Sequence, residues 1–186
     1  MDLILDKLYI QAKIHKDNHK SCGGEPYKSY DKLFEITKKL SENKILKILE
    51  IGTAVGFTTF ILHNQKNFVD TIEFHQEHID EAKTNVTAWG GDITKINFIV
   101  GDAKDILEKL PEKEGGLYDI IFFDGYGVKH LFYNYFESLL KKDGLLITAN
   151  KHLKSTENIF FEELSDSNKW ELVDEFADTI VHRKVC

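Results

Sequence analysis

The chain has 186 residues, 42% of them hydrophobic and 12% aromatic, with 24 Lys or Arg against 31 Asp or Glu and a net charge of −7. This length suits one domain with a substantial core, and the aromatic content excludes a disordered chain. The acidic balance argues against wholesale electrostatic binding to nucleic acid or anionic lipid. The longest uncharged run, residues 51–65, is 15 residues long and holds two glycines, too short and too broken to cross a bilayer.

The opening MDLILDKLYI places Asp2 and Asp6 where a signal peptide would carry bases, so none is legible. Cys22 and Cys186 stand near opposite ends, which fits reduced thiols in a cytoplasmic protein better than a disulfide framework. Residues 1–43 carry eight Lys and seven acids. They read as a helical cap: a short helix, a loop through Ser21-Cys22-Gly23-Gly24-Glu25-Pro26, and a helix over 30–40.

From residue 44 the pattern becomes regular and predicts an α/β core that runs to 186. Short apolar runs at 45–51, 68–74, 96–100, 117–123 and 145–149 have the character of strands covered on both faces. Helical spacing fills the gaps at 55–64, 76–89, 103–110 and 128–140. In the second of these Ile79, Ala82, Val86 and Trp89 form one apolar stripe. Asp143-Gly144 turns the chain into the fifth strand. After a helix over 157–164, the runs 170–175 and 179–185 are separated by Phe176-Ala177-Asp178, a hairpin spacing. The expected architecture is a doubly wound, mostly parallel sheet with a C-terminal antiparallel hairpin, and ligands in such sheets bind beyond the carboxyl ends of the strands.

Acids stand at those ends. The first strand closes on Leu49-Glu50-Ile51-Gly52-Thr53-Ala54-Val55-Gly56-Phe57-Thr58. A dinucleotide fingerprint needs glycine at 52, 54 and about 57, and Ala54 and Phe57 break it. A carboxylate two residues before the first glycine instead suits a ligand with a cationic amino group. The other reading of Glu50 is an incidental acid in a tight turn. Glu73, at the end of the second strand, can accept two ribose hydroxyls, with Phe74 beside it to lie against a purine; a solvated Glu is the alternative. Asp102-Ala103 can meet an exocyclic amine, although Asp is also a good N-cap. Asp124 follows four apolar residues, where an ionised side chain is costly unless the open sheet edge uses it.

In LEIGTAVGFTT, TIEF, GDA, YDIIFFDG and GLLITAN, spread over about 45–150, the chain resembles class I S-adenosylmethionine-dependent methyltransferases, within them the O-methyltransferase group of catechol and caffeoyl-CoA enzymes. The resemblance implies a Rossmann-like seven-stranded sheet. It implies that Glu50 and Gly52, in the turn with Thr53, Ala54 and Gly56, line the methionine part of S-adenosyl-L-methionine, and that Thr58 helps hold its carboxylate. Glu73 would clamp the ribose, Phe74, Asp102 and Ala103 would border the adenine, and Asp124 would lie near the sulfonium and the substrate.

The chain departs from that group's metal-dependent members. A Lys three residues after the fourth-strand Asp is Gly127 here, and the Asp-Asn pair that completes a divalent cation site is Ala149-Asn150. Two oxygen ligands, Asp124 and Asn150, remain of three, so no tightly bound metal is expected. Proton removal from the acceptor then falls to Asp124, Lys129, His130 or His152, and His is suited to proton transfer near pH 7. The expected activity is O-methylation of a small hydroxylated molecule, catalysed around Asp124, Asn150 and His152. Methylation of a hydroxylated tRNA base, a cofactor-binding protein without catalysis, and a nicotinamide-dependent dehydrogenase are the competing readings. A homodimer is compatible with all of them.

Overall fold

A computed structural model of the chain describes residues 3–17, 27–111, 114–125, 129–149 and 157–186. Two helices come first, α1 (Leu3–Asp17) and α2 (Tyr27–Leu40). The strands and helices then alternate: β1 (Lys47–Ile51), α3 (Phe57–His63), β2 (Phe68–Glu73), α4 (Gln76–Ala88), β3 (Ile96–Val100), α5 (Ala103–Leu107) and β4 (Tyr118–Phe123). After a 3-10 turn at Lys129–Phe132 follow α6 (Tyr133–Leu139), β5 (Leu140–Thr148), α7 (Glu157–Leu164), β6 (Trp170–Phe176) and β7 (Thr179–Lys184). The loop expected over 21–26 lies outside the described residues.

The seven strands form one sheet in the order β3-β2-β1-β4-β5-β7-β6. The first five are parallel, and β7 inserts antiparallel between β5 and β6. The 6–7 pair is therefore the expected hairpin, and its return strand is the one that joins the sheet. Period-two alternation divides the core. Ile48, Val69, Ile120 and Ile147 face α1 to α4 with Phe34, Phe57, Phe60 and Trp89. Leu49, Ile72, Ile121 and Leu146 face α5 to α7 with Leu107, Phe136 and Phe160. Residues of α1 and α2 share the first of these cores: Tyr9 stacks on Phe34 with centroids 4.2 Å apart, and Tyr30 meets Phe57 edge-on.

The expected stripe on α4 is present, with Ile79, Ala82, Val86 and Trp89 all buried. The turn at Asp143-Gly144 takes another form. β5 already starts at Leu140, opposite Tyr118, and the register jumps so that Ile120 faces Leu145. The surplus residues bulge out, with Asp143 in the left-handed region at φ 62°. None of the described helices is long and apolar enough to cross a membrane.

Candidate functional site

One row of backbone bonds extends the parallel ladder past the strand ends. Gly101 N–H donates to Glu73 O, Gly52 N–H to Ile72 O, Asp124 N–H to Ile51 O and Ala149 N–H to Phe123 O, each at 2.9 Å. These bonds hold Gly52, Gly101, Asp124 and Ala149 side by side along the carboxyl edge of the sheet. The order reverses between β1 and β4, and a cavity of about 760 Å³ opens across β1 to β4 there. This is the position and size of a small-ligand site in a doubly wound sheet.

Gly52, Ala54, Glu73, Phe74, Asp102, Ala103 and Asp124 all line this cavity, so seven of the residues singled out from the sequence converge on it. Glu73 is the most constrained of them. Its Oε2 accepts the Ala54 N–H at 3.0 Å, and its Oε1 accepts the His75 N–H at 3.1 Å and lies 3.3 Å from His78 Nδ1. Burial alone would raise its pKa, but those donors outweigh it and hold the carboxyl below the usual range. An ionised carboxylate accepts about four hydrogen bonds, so Oε2 keeps capacity toward the cavity. Phe74 is 64% exposed, a large apolar surface turned out at the rim. Asp102 caps α5 through Lys104 N–H, at 2.8 Å to Oδ1, so the capping and the ligand-facing readings describe one side chain.

Glu50, Thr53, Gly56 and Thr58 do not line the cavity. Alternation along β1 turns Glu50 to the α3 face, where it is fully buried. Its Oε2 accepts from Thr59 Oγ1 at 2.5 Å and from Thr71 Oγ1 at 2.6 Å, and the Thr53 hydroxyl donates in turn to Thr71 at 2.5 Å. Oε1 has no hydrogen-bond partner among the described residues. Burial pushes the Glu50 carboxyl up to about 7, against the Thr58, Thr59 and Thr71 hydroxyls and reinforced by the charge of Glu73. These residues make the polar underside of the turn whose upper side faces the cavity. The turn itself passes through the left-handed region at Gly52, Ala54 and Gly56, with φ of 100°, 43° and 85°.

Asn150, His152 and Gly127 lie outside the described residues, as does the side chain of Lys129. His130 sits in the 3-10 turn with Nδ1 buried, and it does not line the cavity. Ala149 is completely buried in the core, and its methyl side chain offers no oxygen at the place where the family resemblance puts a metal ligand. Among the described residues no group of three His, Cys, Asp or Glu is placed to hold a metal ion.

Sequence reasoning missed His75, His78, Lys104, Leu131 and Phe132, all of which line the cavity. The signal for His78 was available: it falls five residues after Glu73, in the first turn of the helix that follows the strand. A second groove, about 680 Å³, opens at the amino ends of the strands between Ile45, Phe68 and Ile96. Its acids are already engaged. Asp70 takes Tyr118 OH and Asn97 Nδ2, while Asp119 takes Lys47 N–H and Lys141 Nζ.

Fold and cleft together define a doubly wound α/β protein with a largely apolar cavity at its switch point, into which Glu73, Asp102 and Asp124 bring carboxylates. A family model described as O-methyltransferase matches residues 29–175, and the chain belongs to that family. It is similar to a catechol O-methyltransferase of Mycobacterium tuberculosis, 28% identical over 111 residues that make up 58% of this chain and 49% of the relative. A catechol O-methyltransferase of Niastella koreensis is 27% identical over 126 residues, 66% of this chain and 56% of the relative. The chain thus spans about half the length of the curated relatives it matches. Among solved structures, the O-methyltransferase TomG of Streptomyces achromogenes, in complex with SAM, superposes with a TM-score of 0.71 at 17% identity, covering 100% of this chain and 91% of that one.

Proposed function

We propose that this chain is an S-adenosyl-L-methionine-dependent methyltransferase that methylates an oxygen of a small hydroxylated molecule without a tightly bound metal. The observation that carries the reading is the Glu73 carboxyl group, fixed by two backbone N–H groups in the cavity that Asp124 also lines. Family membership and the names of the catechol-methylating relatives support it.

In this reading Glu73 accepts the ribose hydroxyls, Phe74 covers one face of the adenine, and Asp102 with Ala103 borders its edge. Gly52 and Ala54 flank the methionine part, with Glu50, Thr53, Gly56 and Thr58 supporting the turn from below. The bound cofactor supplies a methyl group already activated on a sulfonium. The chain's own task is then to align the acceptor and take its proton. Asp124 borders that end of the cavity. Asn150 and His152, which follow β5 in sequence, are the remaining candidates, His152 as the base and Asn150 as an orienting amide. Residues 1–43 serve as a cap that completes the core beside the cofactor domain.

Calorimetric titration with S-adenosylhomocysteine and with NAD tests the cofactor. Glu73→Ala is expected to weaken S-adenosylhomocysteine by about 1–3 kcal/mol through lost hydrogen bonds to a charged group. An unchanged dissociation constant removes Glu73 from the ribose role. Turnover over a panel of phenols, catechols and tRNA tests the acceptor: activity on tRNA alone overturns the small-molecule assignment, and inactivity on every acceptor favours a binding protein.

A further inference from the structure

His78 contacts the carboxylate on which the cofactor reading rests. Its Nδ1 lies 3.3 Å from Glu73 Oε1, and the residue lines the same cavity. A Glu73 carboxylate can only accept, so in this pair the donor is the Nδ1–H of His78. Oε1 thereby receives two donors, the His75 N–H and His78 Nδ1, while Oε2 receives one, from Ala54. The carboxylate is held by three donors from three chain positions, and its less occupied oxygen is the one left for a ligand. The His78 ring is itself braced by the His75 ring, with centroids 5.2 Å apart at 66°, and His75 in turn meets Phe74 edge-on at 5.1 Å. A Glu side chain has three rotatable bonds, and an unbraced one loses that freedom only when the ligand arrives.

We propose that His78 is a positioning residue of the sugar site: it fixes Glu73 so that Oε2 meets the ribose hydroxyls of the cofactor. The inference rests on the cofactor reading above and adds to it a residue that acts only through Glu73. Its effect depends on the hydroxyls being there. It also depends on a donor at the Nδ1 position rather than on an imidazole as such, and the Asn side-chain amide can place a donor in that region.

The experiment is calorimetric titration of the full chain with S-adenosylhomocysteine and with its 2′-deoxy counterpart, for the wild type, His78→Ala and His78→Asn. His78 has 43% of its side chain exposed, so both variants are expected to fold, and thermal midpoints verify this. His78→Ala is expected to weaken S-adenosylhomocysteine about 3- to 10-fold, in the range of one charge-assisted hydrogen bond. The 2′-deoxy ligand is expected to lose clearly less, and His78→Asn to return affinity to within about twofold of the wild type. Equal losses for both ligands, or Ala and Asn variants that behave alike, overturn the positioning role. Unchanged affinity in His78→Ala does the same. A wild-type protein that fails to bind S-adenosylhomocysteine overturns the cofactor reading and this inference with it.

Discussion

A Cβ built on Gly52 would stand 2.9 Å from the carbonyl oxygen of Asp124. The turn after β1 and the end of β4 therefore approach to within a hydrogen atom's tolerance, and the backbone at 52 has a φ of 100° besides. Gly52→Ala must part the two strand ends or strain the turn. The expected outcome is a loss of about 1–3 kcal/mol in stability. Denaturant titration measures this, and an at least tenfold loss of S-adenosylhomocysteine affinity is expected alongside it.

Ala54 predicts the opposite sign. Its φ of 43° puts a Cβ-bearing residue in the left-handed region. Ala54→Gly removes that strain and keeps the N–H that Glu73 accepts. Set against the entropy of an extra glycine, a net gain of about 0.5–1 kcal/mol is expected. The check is the urea midpoint, which moves upward with an unchanged slope.

Glu50 sets a pH dependence. Its folded pKa of about 7 lies above the ordinary 4.5, so between those values the native protein keeps a proton that the unfolded chain releases. The contribution is fully present below pH 4.5 and is lost as pH rises through about 7. His63 and His182 pull the other way, because burial lowers their pKa values and favours the fold as pH rises through the ordinary histidine value of 6.5. The difference between the wild type and Glu50→Gln isolates the carboxyl. Gln accepts from the same threonine hydroxyls without titrating. The variant is expected to be the more stable protein at pH 8 by on the order of 1–3 kcal/mol, with the advantage shrinking toward pH 5. Thermal melts across that range read it, and parallel curves would remove Glu50 as the cause.

Chelation addresses the metal. With Ala149 sealed in the core, EDTA is expected to leave the methylation rate within about twofold of that with added Mg²⁺. Loss of activity on chelation, restored by the ion, would show that Asp124 finds its partners elsewhere.

The alternation of apolar runs and helical stripes made the sheet legible, because strands buried on both faces leave uninterrupted Val, Ile and Phe. The carboxylates at the ends of β2, β3 and β4 were legible for a related reason: an acid directly after an apolar run needs a use or water. Glu50 had the same signature. Its side chain nevertheless points to the α3 face, since a strand's alternation turns neighbouring residues to opposite sides and the sequence does not say which side holds the ligand. Thr59 and Thr71, whose hydroxyls engage it, lie 9 and 21 residues away, beyond any local pattern. His78 carries no motif of its own, because its partner is a single carboxylate one element back.

The placement of β7 has a consequence for how the molecule is assembled. β6 touches the sheet only through β7, which is later in the chain. The segment 170–176 gains a ladder partner only when 179–184 slots between it and β5. Closure of this flank is thus an all-or-none step, and a chain cut before residue 179 would leave the edge of β5 bare, a border open to pairing with a neighbouring chain.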